Sequence, residues 1–475
     1  MGLLIKNGTI ITANNEFVGD ILVEDEKIVE VASKIDEADH DVVDASGRLV
    51  MPGGVDNHVH QGPFDSYTFE ETSHAAVAGG TTTIVDFAPQ FEGMGVIESK
   101  DKHNEEKAVG KATPDYSFHG MVMDASDSIL DEIPRMAENG IQALKFFMAY
   151  KGTPFYAKDD LIFKAMQKCR EHGITVWVHA ENGDLSEVLT QQYKDAGETA
   201  PIFHSYSNPP AIEDEATQRI IYLAKQADCP LFVVHVTSKG AAQHVADAYD
   251  SGQAVLAETC IHYLALDESK FEEDLDQFGG AKYICGPALR KRSDGHQEAL
   301  WQHLRNGELK AISSDHAAVT GGWAKKREVS GDNFAETPNG VPTLQSRLHV
   351  AWSEGVAKGR ITPQKYVELT STNPAKLTGL YPQKGSLDVG SDADIVIADP
   401  DYEGTITFEN MHEGTDYALF EGFDQKIKFE KVFLRGRLVA EDETPIEEEK
   451  GQGQYIVPEA YSMAYDYWEP REDYY

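Results

Sequence analysis

Two histidines one residue apart, His58 and His60, follow the run Met51-Pro52-Gly53-Gly54. On a β-strand the side chains at i and i+2 share a face, so the pair offers two imidazoles side by side, which is half of a metal site. A chance pair in a core or on a surface has the same spacing, so the remaining ligands decide. Three other apolar runs end in comparable groups: His179-Ala180-Glu181, His235-Val236-Thr237 and Ser313-Ser314-Asp315-His316. A fourth carries Lys145 between Leu144 and Phe146. An ammonium repels a metal ion. A buried lysine, however, loses its proton more readily, and the neutral amine can add carbon dioxide to give an anionic carbamate (N6-carboxylysine) with two oxygens. Such a group bridges two cations. The alternative for Lys145 is a structural ion pair with Asp315 or another carboxylate. Four histidines, one aspartate and the lysine suit two divalent ions roughly 3.5–4 Å apart, which bring the pKa of a shared water to about 7. Imidazole and carboxylate favour zinc, with manganese or cobalt as substitutes.

These groups need a scaffold that brings distant chain segments to one place. Between residues 51 and 375 the sequence alternates strand-like and helix-like stretches. Strands are predicted at 54–60, 81–88, 116–123, 141–148, 174–180, 230–236, 253–260 and 309–315, most of them near-continuous apolar runs of the kind found in buried parallel sheets. Helical spacing is clearest at 128–138, 158–171, 213–226 and 240–251, with Gly140, Gly173 and Gly252 as stop signals. Eight βα units predict an α/β chain built on a (β/α)8 TIM-like barrel, whose catalytic groups lie at the C-terminal ends of the strands. Each candidate ligand falls on such a strand. A lone histidine there is ordinarily structural. Six polar groups converging on one barrel mouth carry a desolvation load that structure alone does not justify.

Residues 1–50 read as short strands, with Asn7-Gly8 and Asn14-Asn15 as turns, and residues 376–445 repeat the style. Neither end has enough strands alone, so both are expected to pair into one small β-sandwich with the 51–375 barrel inserted between them. Residues 446–475 form an acidic, then aromatic tail containing Tyr465, Tyr467, Trp468, Tyr474 and Tyr475. It is expected to be either a free end or an oligomer arm packing on a neighbouring subunit.

The chain of 475 residues is 41% hydrophobic and carries 80 acidic against 42 basic residues, a net charge of −38. That balance excludes nucleic acid and anionic membranes as partners. It suits a solvated acidic surface or adaptation to high salt. There is no apolar run of membrane-spanning length and no signal-peptide layout. Cys169, Cys229, Cys260 and Cys285 are too dispersed for a zinc knot or a disulfide framework, so a reducing cytoplasm is expected.

Taken together, several motifs resemble the dihydropyrimidinase and hydantoinase family of the amidohydrolase superfamily. They are Pro52-Gly53-Gly54-Val55-Asp56-Asn57-His58-Val59-His60, Gly79-Gly80-Thr81-Thr82-Thr83, Lys145-Phe146-Phe147-Met148-Ala149-Tyr150, Val178-His179-Ala180-Glu181-Asn182-Gly183, Ser313-Ser314-Asp315-His316 and Pro338-Asn339-Gly340-Val341-Pro342. The resemblance implies a homotetramer, or a homodimer, that hydrolyses non-peptide C–N bonds in rings: a cyclic amidohydrolase acting on dihydropyrimidines or 5-substituted hydantoins. It also implies roles. His58, His60 and Asp315 hold one metal, His179 and His235 the other, and carboxylated Lys145 bridges them. Asp315 shuttles the proton, Tyr150 stabilises the oxyanion, and Gly286 and Asn339 bind the ring amide through main-chain atoms.

The chain departs from the family at three places. Gly286 stands where serine is usual, in Cys285-Gly286-Pro287-Ala288-Leu289-Arg290; Ala317 stands where cysteine is frequent; and the loop Gln61-Gly62-Pro63-Phe64 is about one residue short. Substrate identity therefore stays open. An allantoinase or another cyclic amide or imide hydrolase is an alternative, although the arginine that such enzymes and dihydroorotases place after His-x-His is absent here. A non-catalytic scaffold relative is a further alternative, disfavoured because all six ligands are kept. His119, His172, His244, His262, His296, His316 and His349 are read as structural.

Overall fold

The computed structural model describes residues 2–37, 40–63 and 66–470; Phe64 of the short loop and the Tyr474-Tyr475 pair lie outside the described residues. In chain order, the first strands are β1 (Leu3–Ile11), β2 (Glu16–Glu24), β3 (Lys27–Ala32), β4 (Asp41–Asp44) and β5 (Leu49–Pro52). The middle of the chain contributes β6 (Gly54–Val59), β7 (Thr81–Pro89), β8 (Asp115–Met121), β9 (Ala143–Phe147), β10 (Thr175–His179), β11 (Leu231–Val233), β12 (Val255–Cys260) and β13 (Leu309–Ser313). The last strands are β14 (Ile395–Asp399), the small hairpin β15 (Gly404–Thr405) and β16 (Asp424–Gln425), then β17 (Lys428–Leu434), β18 (Arg437–Glu441) and β19 (Thr444–Pro445).

Strands β6 to β13 lie in chain order in one eight-stranded sheet, parallel throughout. Every residue in these strands is buried, which is why the sequence shows continuous apolar runs rather than alternation. The sheet closes where His60 N–H donates to the His316 carbonyl at 2.8 Å and Val59 bridges His316 in parallel. Inside, Trp177 stacks on Phe232 at 4.1 Å and meets Phe87 edge-on. The result is a packed (β/α)8 barrel, as predicted.

The two chain ends share one nine-stranded mixed sheet. β5 sits between β1, to which it runs parallel, and β14, to which it runs antiparallel. Asn7-Gly8 does not turn the chain. β1 runs through it, and the register against β2 shifts between Ile5 and Gly8, a bulge with Asn7 at φ 60°. The helix predicted at 128–138 is broken into short 3-10 and α pieces, with Pro134 at the start of the α segment Ile133–Met136. Proline has no N–H to continue a ladder backward. The helix predicted at 158–171 runs from Asp159 to Cys169 and ends, through one 3-10 turn, at Gly173 with φ 69°.

Among the described residues, the 463–468 part of the aromatic tail packs on its own chain. Tyr465 donates to the carbonyls of Cys169 (3.1 Å) and Ile174 (2.9 Å), and Trp468 Nε1 donates to Asp228 O at 3.0 Å. Met463 and Ala464 belong to one buried cluster with Trp177, Phe232 and Leu256, and Ser462 Oγ meets Thr175 Oγ1 at 3.2 Å, at the N-terminal end of β10, so the segment floors the barrel. Burial of this apolar surface within the same molecule is what orders the segment.

Candidate functional site

At the opposite end of the barrel, one cavity of about 230 Å³ is lined by His58, His60, Lys145, His179, His235 and Asp315, together with Phe147, Tyr150, Phe155, Gly286, Ala317 and Asn339. Every candidate site residue named from the sequence lines this cavity. The strands explain the convergence. His58 lies near the end of β6 and His60 just after it, Lys145 in β9, His179 at the end of β10, His235 just past β11, and Asp315 two residues past β13. Strand six is shorter than predicted because His235 takes a left-handed backbone, φ 42°. Asp315 (φ 48°) and Tyr150 (φ 62°) do the same. Left-handed non-glycine residues cost energy and gather where a side chain must be aimed.

The ring nitrogens are oriented as a metal requires. His58 Nδ1 lies 2.5 Å from Glu258 Oε1, which leaves Nε2 facing Asp315 Oδ1 at 3.0 Å; His60 Nε2 faces the same oxygen at 3.3 Å. His179 Nε2 contacts Glu181 Oε2 at 2.7 Å, which leaves Nδ1 facing His235 Nε2 at 3.0 Å. The carboxylates behind His58 and His179 fix the tautomer of those two rings and make the outward nitrogen a better donor. The ligand atoms of His58, His60 and Asp315 all lie within 4.8 Å of one another. The donor set therefore fits divalent ions. A second grouping, Cys260, His262 and Asp315, also falls within that distance.

Electrostatics point the same way. Burial works against a charged His58, yet Asp315 and Glu258 hold it up at about 9, so a cation is favoured at its Nε2. Burial lowers Lys145 to about 8 against the pull of Asp315 and Glu258. The ion pair considered for Lys145 is not formed: among the described residues no carboxylate lies within 4 Å of its Nζ, which sits over the rings of Phe87 (5.2 Å) and Phe147 (5.4 Å). Burial, then Glu181 and Asp315, push Tyr150 well above the usual phenol range, so it stays a hydrogen-bond donor.

The departures from the family also have a place in the geometry. A Cβ built on Gly286 would lie 2.6 Å from Tyr150 Oη, so glycine makes room for the phenol. Gln61 turns away from the cavity: its N–H donates to Asp86 Oδ1 at 2.7 Å and its Oε1 accepts from Thr72 at 2.8 Å. No arginine lines the cavity among the described residues. His316 is structural as read, accepting Thr343 N–H and Leu344 N–H on Nδ1 at 3.1 and 3.2 Å. The sequence reading missed the orienting roles of Glu181 and Glu258. A carboxylate within a wholly apolar strand end, as in Val255-Leu256-Ala257-Glu258, was the available signal for the latter.

Comparison with known proteins agrees with this geometry. The model of the amidohydrolase family matches residues 49–439. A D-hydantoinase of Geobacillus stearothermophilus is 41% identical over 463 residues, 96% of each chain. A D-phenylhydantoinase of Escherichia coli is 35% identical over 470 residues, 96% of this chain and 98% of the relative. The solved dihydropyrimidinase of Brevibacillus agri superposes with a TM-score of 0.93 at 40% identity, covering 97% of this chain and all of that one. With the match extending from the last strand of the N-terminal end through nearly the whole C-terminal sheet, the chain belongs to the amidohydrolase family.

Proposed function

We propose that this chain hydrolyses a ring amide bond of cyclic diamides, either 5,6-dihydropyrimidines or 5-substituted hydantoins. The observation that carries the reading is the single cavity in which four histidines, Lys145 and Asp315 face Tyr150, Gly286 and Asn339. The hydantoinase and dihydropyrimidinase names of the relatives support the substrate class.

His58, His60 and Asp315 would hold one divalent ion and His179 and His235 a second, with carboxylated Lys145 shared between them; zinc is the preferred metal, with manganese or cobalt able to replace it. When bound, the ions supply a more acidic water and polarise the carbonyl. The chain's own groups do the rest. Asp315 accepts the proton from the attacking water and delivers it to the ring nitrogen as the C–N bond breaks, so one water is consumed and an acid and an amide or ureide end are formed. Tyr150 donates a hydrogen bond to the carbonyl oxygen as it gains charge. Phe147 and Phe155 provide apolar wall for a ring substituent. Gly286 and Asn339 hold the ring amide through the main chain. The assembly expected from the resemblance is a homotetramer or homodimer, and the four free, buried cysteines suit a reducing cytoplasm.

The test is a turnover panel of dihydrouracil, hydantoin, phenylhydantoin, allantoin and dihydroorotate, with zinc or manganese restored after chelation. Turnover of the first three with little of the last two is expected. Preference for allantoin or dihydroorotate would replace the reading.

A further inference from the structure

Around the cavity, several backbone groups of two facing segments are held by the protein itself. Ile284 O accepts from Gly340 N–H at 3.2 Å, Cys285 O from His204 Nε2 at 2.7 Å, and Pro287 O from Tyr263 Oη at 2.8 Å. Between them, the N–H and C=O of Gly286 find no partner among the described residues, nor do those of Asn339 in the facing segment. Both residues are partly exposed at the cavity wall, so these groups are open to water or to a ligand. Two unpaired donors and two unpaired acceptors at the wall of one cavity form a complement to a cyclic –NH–CO–NH– edge.

Beside the hydrogen bond from Gly340 to Ile284, a lysine outside the cavity ties those two segments together. Lys326, on the helix Gly322–Ser330, is 0% exposed. Its Nζ donates to Ile284 O at 2.9 Å, Gly340 O at 3.0 Å and Lys282 O at 3.3 Å. No carboxylate lies within 4 Å of it among the described residues. Burying an ammonium without a counter-ion is costly. Two of its three acceptors have another donor, Gly340 N–H for Ile284 O and Tyr417 Oη for Lys282 O, so the lysine is not needed merely to satisfy them. Its distinctive effect is to tie the segment before Gly286 to the residue after Asn339 through one three-pronged group.

We propose that Lys326 is a positioning residue that sets the spacing between Gly286 and Asn339, and so the fit of the substrate's ring amide edge. The inference rests on the ring-amide reading of those two residues. It differs from a structural role in what it predicts: loss of the lysine harms recognition of the ring more than the metal chemistry or the fold.

The experiment compares metal-loaded wild type, Lys326→Met and Lys326→Gln. KM and kcat are measured for hydantoin and dihydrouracil, and metal content and melting temperature are determined alongside. Backbone hydrogen exchange is followed over 282–290 and 338–344. Expected for Lys326→Met are full metal content, a KM raised about tenfold or more with a smaller change in kcat, and faster exchange confined to those two segments; a tenfold change corresponds to about 1.4 kcal/mol. Lys326→Gln, which keeps a donor, recovers part of the loss. An unchanged KM, an unchanged exchange pattern, or loss of kcat in step with loss of metal overturns the proposal. So does failure of both variants to fold, which would make the lysine purely structural. If wild type turns over no cyclic ureide, the ring-amide reading falls by itself, and the exchange data still report whether Lys326 holds the two segments together.

Discussion

Lys384 and Lys145 are both almost wholly buried, at opposite ends of the barrel, and they are treated in opposite ways. At the floor, Lys384 is clasped by Asp115 (2.5 Å), Asp392 (2.9 Å) and Asp394 (3.0 Å), while Arg435 also pairs with Asp115. Burial disfavours its charge, but these carboxylates more than compensate and its pKa is raised. Asp115 opens β8, and Asp394 precedes β14, so this cluster joins barrel to end sheet. At the mouth, Lys145 has no such partner and is lowered to about 8. The floor cluster is closed: its charges answer one another and nothing further is called for. The mouth is open, with imidazole nitrogens aimed at each other and backbone held in the left-handed region. In a barrel the bottom face serves stability and the top face chemistry, and the two lysines show what that division means atom by atom.

The sharpest way to break this comparison is Lys145→Ala. It is expected to abolish turnover and leave fewer than two metals per subunit while melting stays close to wild type; retained activity without added short-chain acids would remove the carbamate. Tyr150→Phe should follow, costing about 10²–10³-fold in kcat with both metals retained, since the phenol acts on the oxyanion alone; an unchanged rate would free it of that role. Lys384→Met should do the reverse of Lys145→Ala. Removing the ammonium shared by three buried carboxylates, which leaves Asp115 to Arg435 and Asp392 to Lys27, is expected to cost about 3–5 kcal/mol in denaturant unfolding, with kcat of the folded fraction intact. Its pH signature has a definite sign. A lysine whose folded pKa is raised contributes fully below its unfolded value of 10.5 and loses that contribution as pH rises through the folded value, so the gap between variant and wild type should persist at neutral pH and narrow only above that point.

Smaller effects refine the contrast. Gly286→Ser restores the residue common in the family, but its Cβ would meet Tyr150 Oη and push the phenol aside. A loss of about tenfold in kcat, larger than any change in metal content, is expected. Smallest should be salt. The surface bears most of a net −38, whereas both lysine clusters are shielded. Raising potassium chloride from about 0.1 to 1 M shortens the screening length from roughly 10 to 3 Å, which should raise the melting temperature by a few degrees without altering the Lys384→Met difference. Full stability in dilute buffer would count against adaptation to salt.

The candidate metal ligands were legible in the sequence because each lies in or just past a buried parallel strand, where a polar residue interrupts an apolar run. His58, His179 and Asp315 need no knowledge of their neighbours to stand out. Glu258 was harder to read because its partner His58 is 200 positions away and no spacing rule spans that distance. Lys326 is harder still. It sits in Ala324-Lys325-Lys326-Arg327, a run that looks like a solvated helix face, and only the loops folded over it bury its ammonium. Where Tyr465 and Trp468 pack was not legible, because aromatic composition states that a surface will be covered, not which surface covers it. Asn7-Gly8 was misplaced for a related reason: a left-handed residue serves a bulge as well as a turn, and pairing with β2 made the choice.

The barrel floor has a consequence for synthesis. Met463 and Ala464 emerge from the ribosome after all eight barrel strands, and β14, which pairs with β5, emerges after them as well. A nascent chain carrying every catalytic group thus still has an open base and a half-built sheet, with Leu256 and Trp177 lacking their cover. Until the tail arrives its apolar interior lacks this floor, the interval in which a large parallel sheet is most exposed to aggregation.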